Sequence, residues 1–215
     1  HEILHVLTEH GKIESFFYEN IYKSKKKIKV STASEVTINF FPTTGMNKIT
    51  NLEIENTYQN IMYDVLKSSY VSNILECINY GIESSFNLYK ILKISLTAIN
   101  NGVNEKLVCC HFFMQILRDH GFIFKYQKTD YEYVGYSFLK NSFVNKFNID
   151  YSVFGINDNL VKLTYYLSIK NIDFFEGLEL GNKDLIRLFS FFNILFKEYI
   201  GIETKSYKKI IDLEE

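Results

Sequence analysis

Arginine is nearly missing from this chain: Arg118 and Arg187 are the only two among its 24 basic residues. Tryptophan is absent, and Pro42 is the single proline. Lys, Asn, Ile, Tyr and Phe crowd the remainder, as AT-rich coding would produce. Lysine is therefore background here, and a lysine cluster must exceed that background to carry meaning. Cysteine is scarce as well. Cys77, Cys109 and Cys110 are an odd number with no C-x-x-C pair, which argues against a disulfide framework and a structural zinc site and for a reducing, cytoplasmic compartment. No apolar run reaches the ~18 residues of a membrane span, and no charged-apolar-small signal peptide opens the chain. The first residue, His1, already lies in a strand pattern, which reads as the loss of a preceding segment.

What is present is enough for a core. Of 215 residues, 47% are hydrophobic and 23% charged, with a net charge of −1, as in a globular protein of one large or two small domains. The pattern predicts an α+β protein. EILHVLT (2–8), KIESFFY (12–18), VTINFFP (36–42) and KITNLEIE (48–55) read as strands, with Gly11 and Gly45 in turns. Four short strands bury little as a flat sheet, so a small barrel or a sheet packed on a neighbour is expected. From Asn56 the period changes to about 3.6. Helices are predicted from a Thr57 cap to Gly81, from Ser84-Ser85 to about Asn100, and from Asn104 to His120-Gly121. Three helices with short links form an antiparallel bundle. An aromatic β-hairpin at about 126–150, turning at Lys140-Asn141, interrupts the helices. They resume at 156–170 and 182–200, and a helix end with a short final turn closes the chain. The domains expected are 1–55 and 56–215.

Catalytic chemistry finds no support. His5, His10, His111 and His120 have no acid, nucleophile or metal partner at a recognisable spacing. Adjacent helical residues diverge by about 100°, so Cys109 and Cys110 are poorly placed to share a metal. No phosphate-cradling glycine loop and no nucleophile elbow occurs. The reading is non-enzymatic, with no catalytic and no metal-binding residue.

One stretch stands above the lysine background: ENIYKSKKKIKVSTASEV (19–36). Lys23, Lys25, Lys26, Lys27 and Lys29 are followed by Ser31, Thr32 and Ser34, and between Asn20 and Lys48 six lysines face one acid, Glu35. A solvated loop is one reading. The other is a phosphate-binding loop with hydroxyls contributing neutral contacts. Phe16, Phe17, Tyr18 and Tyr22 lie beside it, either as core or as rings for unpaired bases.

The order HEILHVLTEHGKIESFFYENIYKSKKKIKVSTASEVTINFF resembles the N-terminal domain of the RecO family of recombination mediators. Leu7-Thr8, Gly11-Lys12 and the Lys23-Ser24-Lys25-Lys26 region match its strand–turn–basic-loop pattern. KITNLEIENTYQNIMYDVLKSSYVSNILECINYGIES resembles the passage into that family's helices, and EYIGIETKSYKKI its "Y-x-G-x-x-x-K-S" ending. The resemblance implies an oligonucleotide-binding (OB-fold) barrel, whose first strand would precede His1, followed by a helical domain. It implies binding of single- and double-stranded DNA, strand annealing, and partnership with RecR and with the C-terminal tail of single-strand-binding protein. No nucleotide cofactor is implied. Many members carry a four-cysteine zinc ribbon after the third helix; YQKTDYEYVGYSFLKNSFVNKFNID here has no cysteine, so zinc is not carried over.

The function expected is thus a cytoplasmic, nucleoid-associated recombination mediator in gap repair, without membrane association. Lys23, Lys25, Lys26, Lys27 and Lys29 are the expected DNA contacts, with Lys12 and Lys48 on adjoining strands. The alternative is a helical interaction scaffold of the same family that does not bind DNA. A third reading is an RNA-binding barrel.

Overall fold

The structure, a computed structural model, describes residues 2–18, 30–80, 82, 85–127 and 129–214. It is α+β, with a mixed sheet followed by helices and a second, smaller sheet.

The first sheet is made of two hairpins. Strand β1 (Glu2–Leu7) pairs antiparallel with β2 (Ile13–Tyr18), and β3 (Glu35–Phe41) with β4 (Asn47–Asn56). The first turn is closed by Thr8 N–H donating to the Lys12 carbonyl at 2.8 Å, with Gly11 at φ 72, a backbone conformation that glycine adopts without steric cost. The hairpins join through a short parallel contact, Phe16 beside Asn47 and Phe17 beside Lys48, giving the order β1-β2-β4-β3. The edges of β1 and β3 do not pair, so among the described residues this sheet is open. In place of the barrel expected from the sequence, the described residues form an unclosed four-stranded sheet.

Alternation decides what each face carries. Phe16, Ile49 and Leu52 form a small buried cluster, with Leu4, Val6, Tyr18, Val36, Ile38 and Ile54 packed around it. A bulge makes this possible. Asn39 pairs with Asn51 but Phe40 pairs with Ile49, leaving Thr50 as the extra residue, and the Thr50 hydroxyl donates to the Asn39 carbonyl at 3.0 Å. Strict alternation from Leu52 would turn Lys48 inward. The inserted residue resets it, so that Ile49 is buried and Lys48 exposed.

The helices start where short polar side chains can accept from free N–H groups. Asp64, Ser85, Asn104 and Asn157 cap α2 (Val65–Asn79), α3 (Phe86–Asn100), α4 (Glu105–Asp119) and α5 (Asp158–Ile169) in this way. The Thr57 cap is corrected. Tyr58, at φ 45, heads the one-turn helix α1 (Gln59–Met62), and Asp64 starts a separate helix. Helix α4 is buried on nearly every side, against α6 (Asn182–Ile200), with Phe112, Phe113, Phe189, Phe192 and Phe196 in one core.

Two segments differ from expectation. The hairpin β5 (Tyr133–Ser137) and β6 (Ser142–Asn145) gains a third strand, β7 (Val153–Gly155), on the far edge of β5. Three residues are too few to show an alternation. The expected final turn is instead a ten-residue helix, α7 (Lys205–Glu214). Gly201, at φ 80, ends α6. Glu76 of α2 then caps α7, accepting from Lys205 N–H at 2.9 Å and Ser206 N–H at 2.8 Å.

Candidate nucleic-acid interface

At the join of the two hairpins, one row of the outer face crosses all four strands. Ile3 pairs with Phe17, Phe17 with Lys48, and Lys48 with Phe41. The strands lie about 4.8 Å apart, so the row spans roughly 14 Å. Lys48 is exposed, Phe17 half-buried, and Phe41 is 65% exposed. The adjacent Phe40 turns the other way and packs its ring on Phe16, centroids 5.1 Å apart. The Phe40-Phe41 pair is thus split between the two faces of the sheet, with Phe40 42% and Phe41 65% exposed.

Further along β1 and β2, His5 Nδ1 lies 2.9 Å from the Ser15 hydroxyl. The carboxylates Glu53 and Glu55 sit toward the opposite end of β4, where Thr37 donates to Glu55 at 2.8 Å. Glu35, the one acid in the lysine-rich section, is taken up elsewhere. It pairs with Lys93 of α3 and accepts from the Tyr89 hydroxyl at 3.4 Å. That ion pair holds the Lys93 ammonium above its ordinary value, chiefly through the hydrogen bond.

The structure separates the two lysines predicted on the strands. Lys12 is exposed at the β1–β2 turn, while Lys48 faces Phe17. Lys12 and Phe17 are five residue steps apart along the strand, roughly 16 Å at 3.3 Å per residue. Lys12 and Lys48 therefore do not form one contact point. Lys23, Lys25, Lys26, Lys27 and Lys29 lie outside the described residues, as does Tyr22. Of the rings singled out with them, Phe16 is core and Tyr18 packs on the inner cluster. Phe17 alone belongs to the outer row. Phe41 was missed; the Phe-Phe doublet was its only signal, and sequence could not say which ring faces out.

A cleft of about 400 Å³ runs between β1, residues 30–36 and the helices, lined by Leu4, Val6, Val36, Tyr58, Leu92 and Leu96 among others. It is predominantly apolar. The residues tested for catalysis are placed structurally. Cys77, Cys109 and Cys110 are free thiols in the core, and burial raises each thiol well above its usual range. His111 is buried with Nε2 3.2 Å from the Lys170 carbonyl, and burial lowers its imidazole. Among the described residues no group of three His, Cys, Asp or Glu could hold a metal ion, and no helix is long and apolar enough to cross a membrane.

No family model matches the chain. Curated relatives do. DNA repair protein RecO of Staphylococcus haemolyticus is 24% identical over 228 residues, spanning 99% of this chain and 91% of the relative. DNA repair protein RecO of Streptococcus pyogenes is 24% identical over 98% of this chain and 88% of its own length. That of Macrococcus caseolyticus is 21% identical over 94% of this chain. Along nearly its whole length the chain is similar to RecO proteins. The match to RecO runs through both the sheet and the helices, in agreement with the resemblance seen along the whole sequence.

Proposed function

We propose that the chain is a DNA-binding recombination mediator of gap repair, non-enzymatic and nucleoid-associated, with residues 1–55 as the DNA-binding domain and 56–215 as the helical domain. A role in DNA repair is what its RecO relatives carry by name. The observation that carries the DNA contact is the outer row, where exposed Lys48 stands between Phe17 and Phe41.

An OB barrel is the finer fold reading. The sheet order β1-β2-β4-β3, with its central parallel pair, leaves two free edges, and the apolar cleft lies along the seam between β1 and residues 30–36. One further strand in that seam would close five strands into a barrel of the kind that binds oligonucleotides. Affinity comes from counterion release, without sequence preference. Lys23, Lys25, Lys26, Lys27 and Lys29 enter the chain directly after β2, next in sequence to the row. Screening two phosphate backbones at once lowers their repulsion, which is the requirement for annealing. RecR and the acidic tail of single-strand-binding protein are the proposed protein partners, engaged by the helices to load the recombinase.

The test is fluorescence anisotropy of a labelled single-stranded oligonucleotide across a salt series. If about four lysines engage phosphate, log K falls with log[salt] at a slope near −3. Charge reversal of Lys25, Lys26 and Lys27 should abolish binding with the fold intact. Binding that survives in that variant would refute the loop assignment. Absence of binding by the unaltered protein at low salt, with RecR still retained in a pull-down, would establish the scaffold alternative.

A further inference from the structure

The loop between β6 and β7 is built inside out. It leaves β6 opposite Tyr133 and enters β7 opposite Ser137, on the other side of β5, so it crosses that strand. Its polar groups are the ones turned inward. The Asp150 side chain, 15% exposed, accepts from the Ser137 hydroxyl at 2.7 Å and from Ser152 N–H at 2.9 Å. The Asn145 side chain accepts from Phe147 N–H at 3.1 Å, and the Asn148 carbonyl accepts from the Lys140 ammonium at 2.7 Å. The apolar residues between these anchors face water: Phe147 is 64% exposed, Ile149 58% and Tyr151 92%. Leu139, 63% exposed, adjoins them through its N–H, which donates to the Ser152 hydroxyl at 2.9 Å. Tyr131, 53% exposed, packs edge to face on Phe147, ring centroids 4.9 Å apart. At these exposures the five side chains present roughly 600 Å² per copy, given ~150–250 Å² for a whole aromatic side chain. That is the upper end of what a monomer leaves in water.

We propose that this face is where two copies of the chain meet about a twofold axis. The charges beside the rings single out a second copy. The Lys146 ammonium lies 5.1 Å from the Phe147 ring centroid, and Asp130 directly precedes Tyr131. Both are exposed, and among the described residues neither forms an ion pair. Glu132 lines the separate hollow beside Arg187. The Tyr131–Phe147 contact thus carries a free cation on one arm and a free anion on the other. A twofold contact is self-complementary, so Lys146 of each copy meets the partner's Asp130. A nucleic acid or an acidic segment would be repelled by Asp130, and a basic segment by Lys146. The area agrees, because the smallest specific interfaces bury about 600 Å² on each side. The hydrogen bonds of the loop fix its shape before contact, which lowers the ordering cost of association. Two copies joined here would bring two N-terminal sheets into one particle, but the assembly itself needs no DNA.

The test is sedimentation velocity of the full-length protein over a concentration series, without DNA. A monomer–dimer equilibrium with a micromolar dissociation constant is expected for an interface of this size. Phe147→Ser combined with Tyr151→Ser should leave only monomer at every concentration. Its circular dichroism and thermal midpoint should match those of the unaltered protein, since both rings lie on the surface. Lys146→Asp and Asp130→Lys should each weaken dimerisation about tenfold, by setting like charges opposite one another at both contacts. An equimolar mixture of the two variants should restore the dimer, because only the mixed pair sets opposite charges at both contacts. An unaltered protein that stays monomeric throughout overturns the proposal. So does a dimer that the Phe147 and Tyr151 double variant leaves intact. If the unaltered protein is monomeric and retained by RecR in a pull-down while the double variant is not, the face belongs to that partner and the twofold contact falls.

Discussion

Phe17 of β2 and Lys48 of β4 face each other across the parallel contact that makes one sheet of two hairpins. That contact comprises two residue pairs, so the joint depends on what its faces bury. Phe16, 3% exposed, anchors the inner side, and Phe17 lies on the outer side.

Neighbouring phenylalanines should therefore respond oppositely to truncation. Phe16→Ala should cost about 3–5 kcal/mol of sheet stability, read as loss of hydrogen-exchange protection in β2 and β4 with helical circular dichroism retained. Phe17→Ala should cost under about 1 kcal/mol, within the range of surface substitutions. Equal losses would mean that the inner and outer faces are wrongly assigned.

The end of the chain is held by a buried ion pair. Lys106 Nζ lies 2.7 Å from Glu214 Oε1, both side chains under a tenth exposed. Burial pushes the Glu214 carboxyl up, but hydrogen bonds from Lys106, Asn182 and Tyr70 outweigh it and hold it below its ordinary value. Glu214→Gln should destabilise the protein by about 3 kcal/mol, because the buried Lys106 charge is left with only the longer contact to Glu105 at 3.4 Å. Replacing both residues by apolar ones of similar volume should recover most of that loss. Denaturant midpoints measure both.

The sign of the acid dependence follows. A carboxyl depressed in the folded state contributes stability above its ordinary range and loses it as pH falls through the depressed value. Asp150 is the clearest case. Hydrogen bonds from Ser152 and Ser137 bring it down to about 2, with Ser137 donating at 2.7 Å and Ser152 N–H at 2.9 Å. The loop before β7 should keep its native chemical shifts through pH 4 and lose them near pH 2. In Asp150→Asn that transition should vanish.

Gly135 of β5 should tolerate no side chain. A Cβ there would stand 2.5 Å from Val153 Cγ1 and 2.6 Å from the Phe154 carbonyl oxygen. Gly135→Ala should cost about 1–3 kcal/mol by overpacking and detach β7 from β5. A thermal midpoint equal to that of the unaltered protein would show that β7 does not pack as described.

Much of the fold was legible in the sequence. The four strands at the start fall within a residue or so of their expected bounds, because alternation and turn glycines are local signals. The starts of α3 and α4 were marked by Ser85 and Asn104, whose side chains cap free N–H groups. Strand β7 and helix α7 were not legible, since one exists by pairing with β5 and the other by docking on α2. The lysine-rich loop was conspicuous in sequence and falls outside the described residues; Phe41 was inconspicuous, and the structure brings it beside Lys48.

The sequence by itself determined most of the element types, the split between a β-rich start and a helical remainder, and the likeness to RecO. All three depend on residues near one another in the chain or on their order. Only the tertiary structure decided that the sheet is two hairpins held by a short parallel contact, that Lys12 and Lys48 are apart, and that Lys48 faces outward between two rings. The reason is the bulge at Thr50. One extra residue in β4 reverses the alternation for every residue before it, and its place is set by pairing with Asn39 across the sheet.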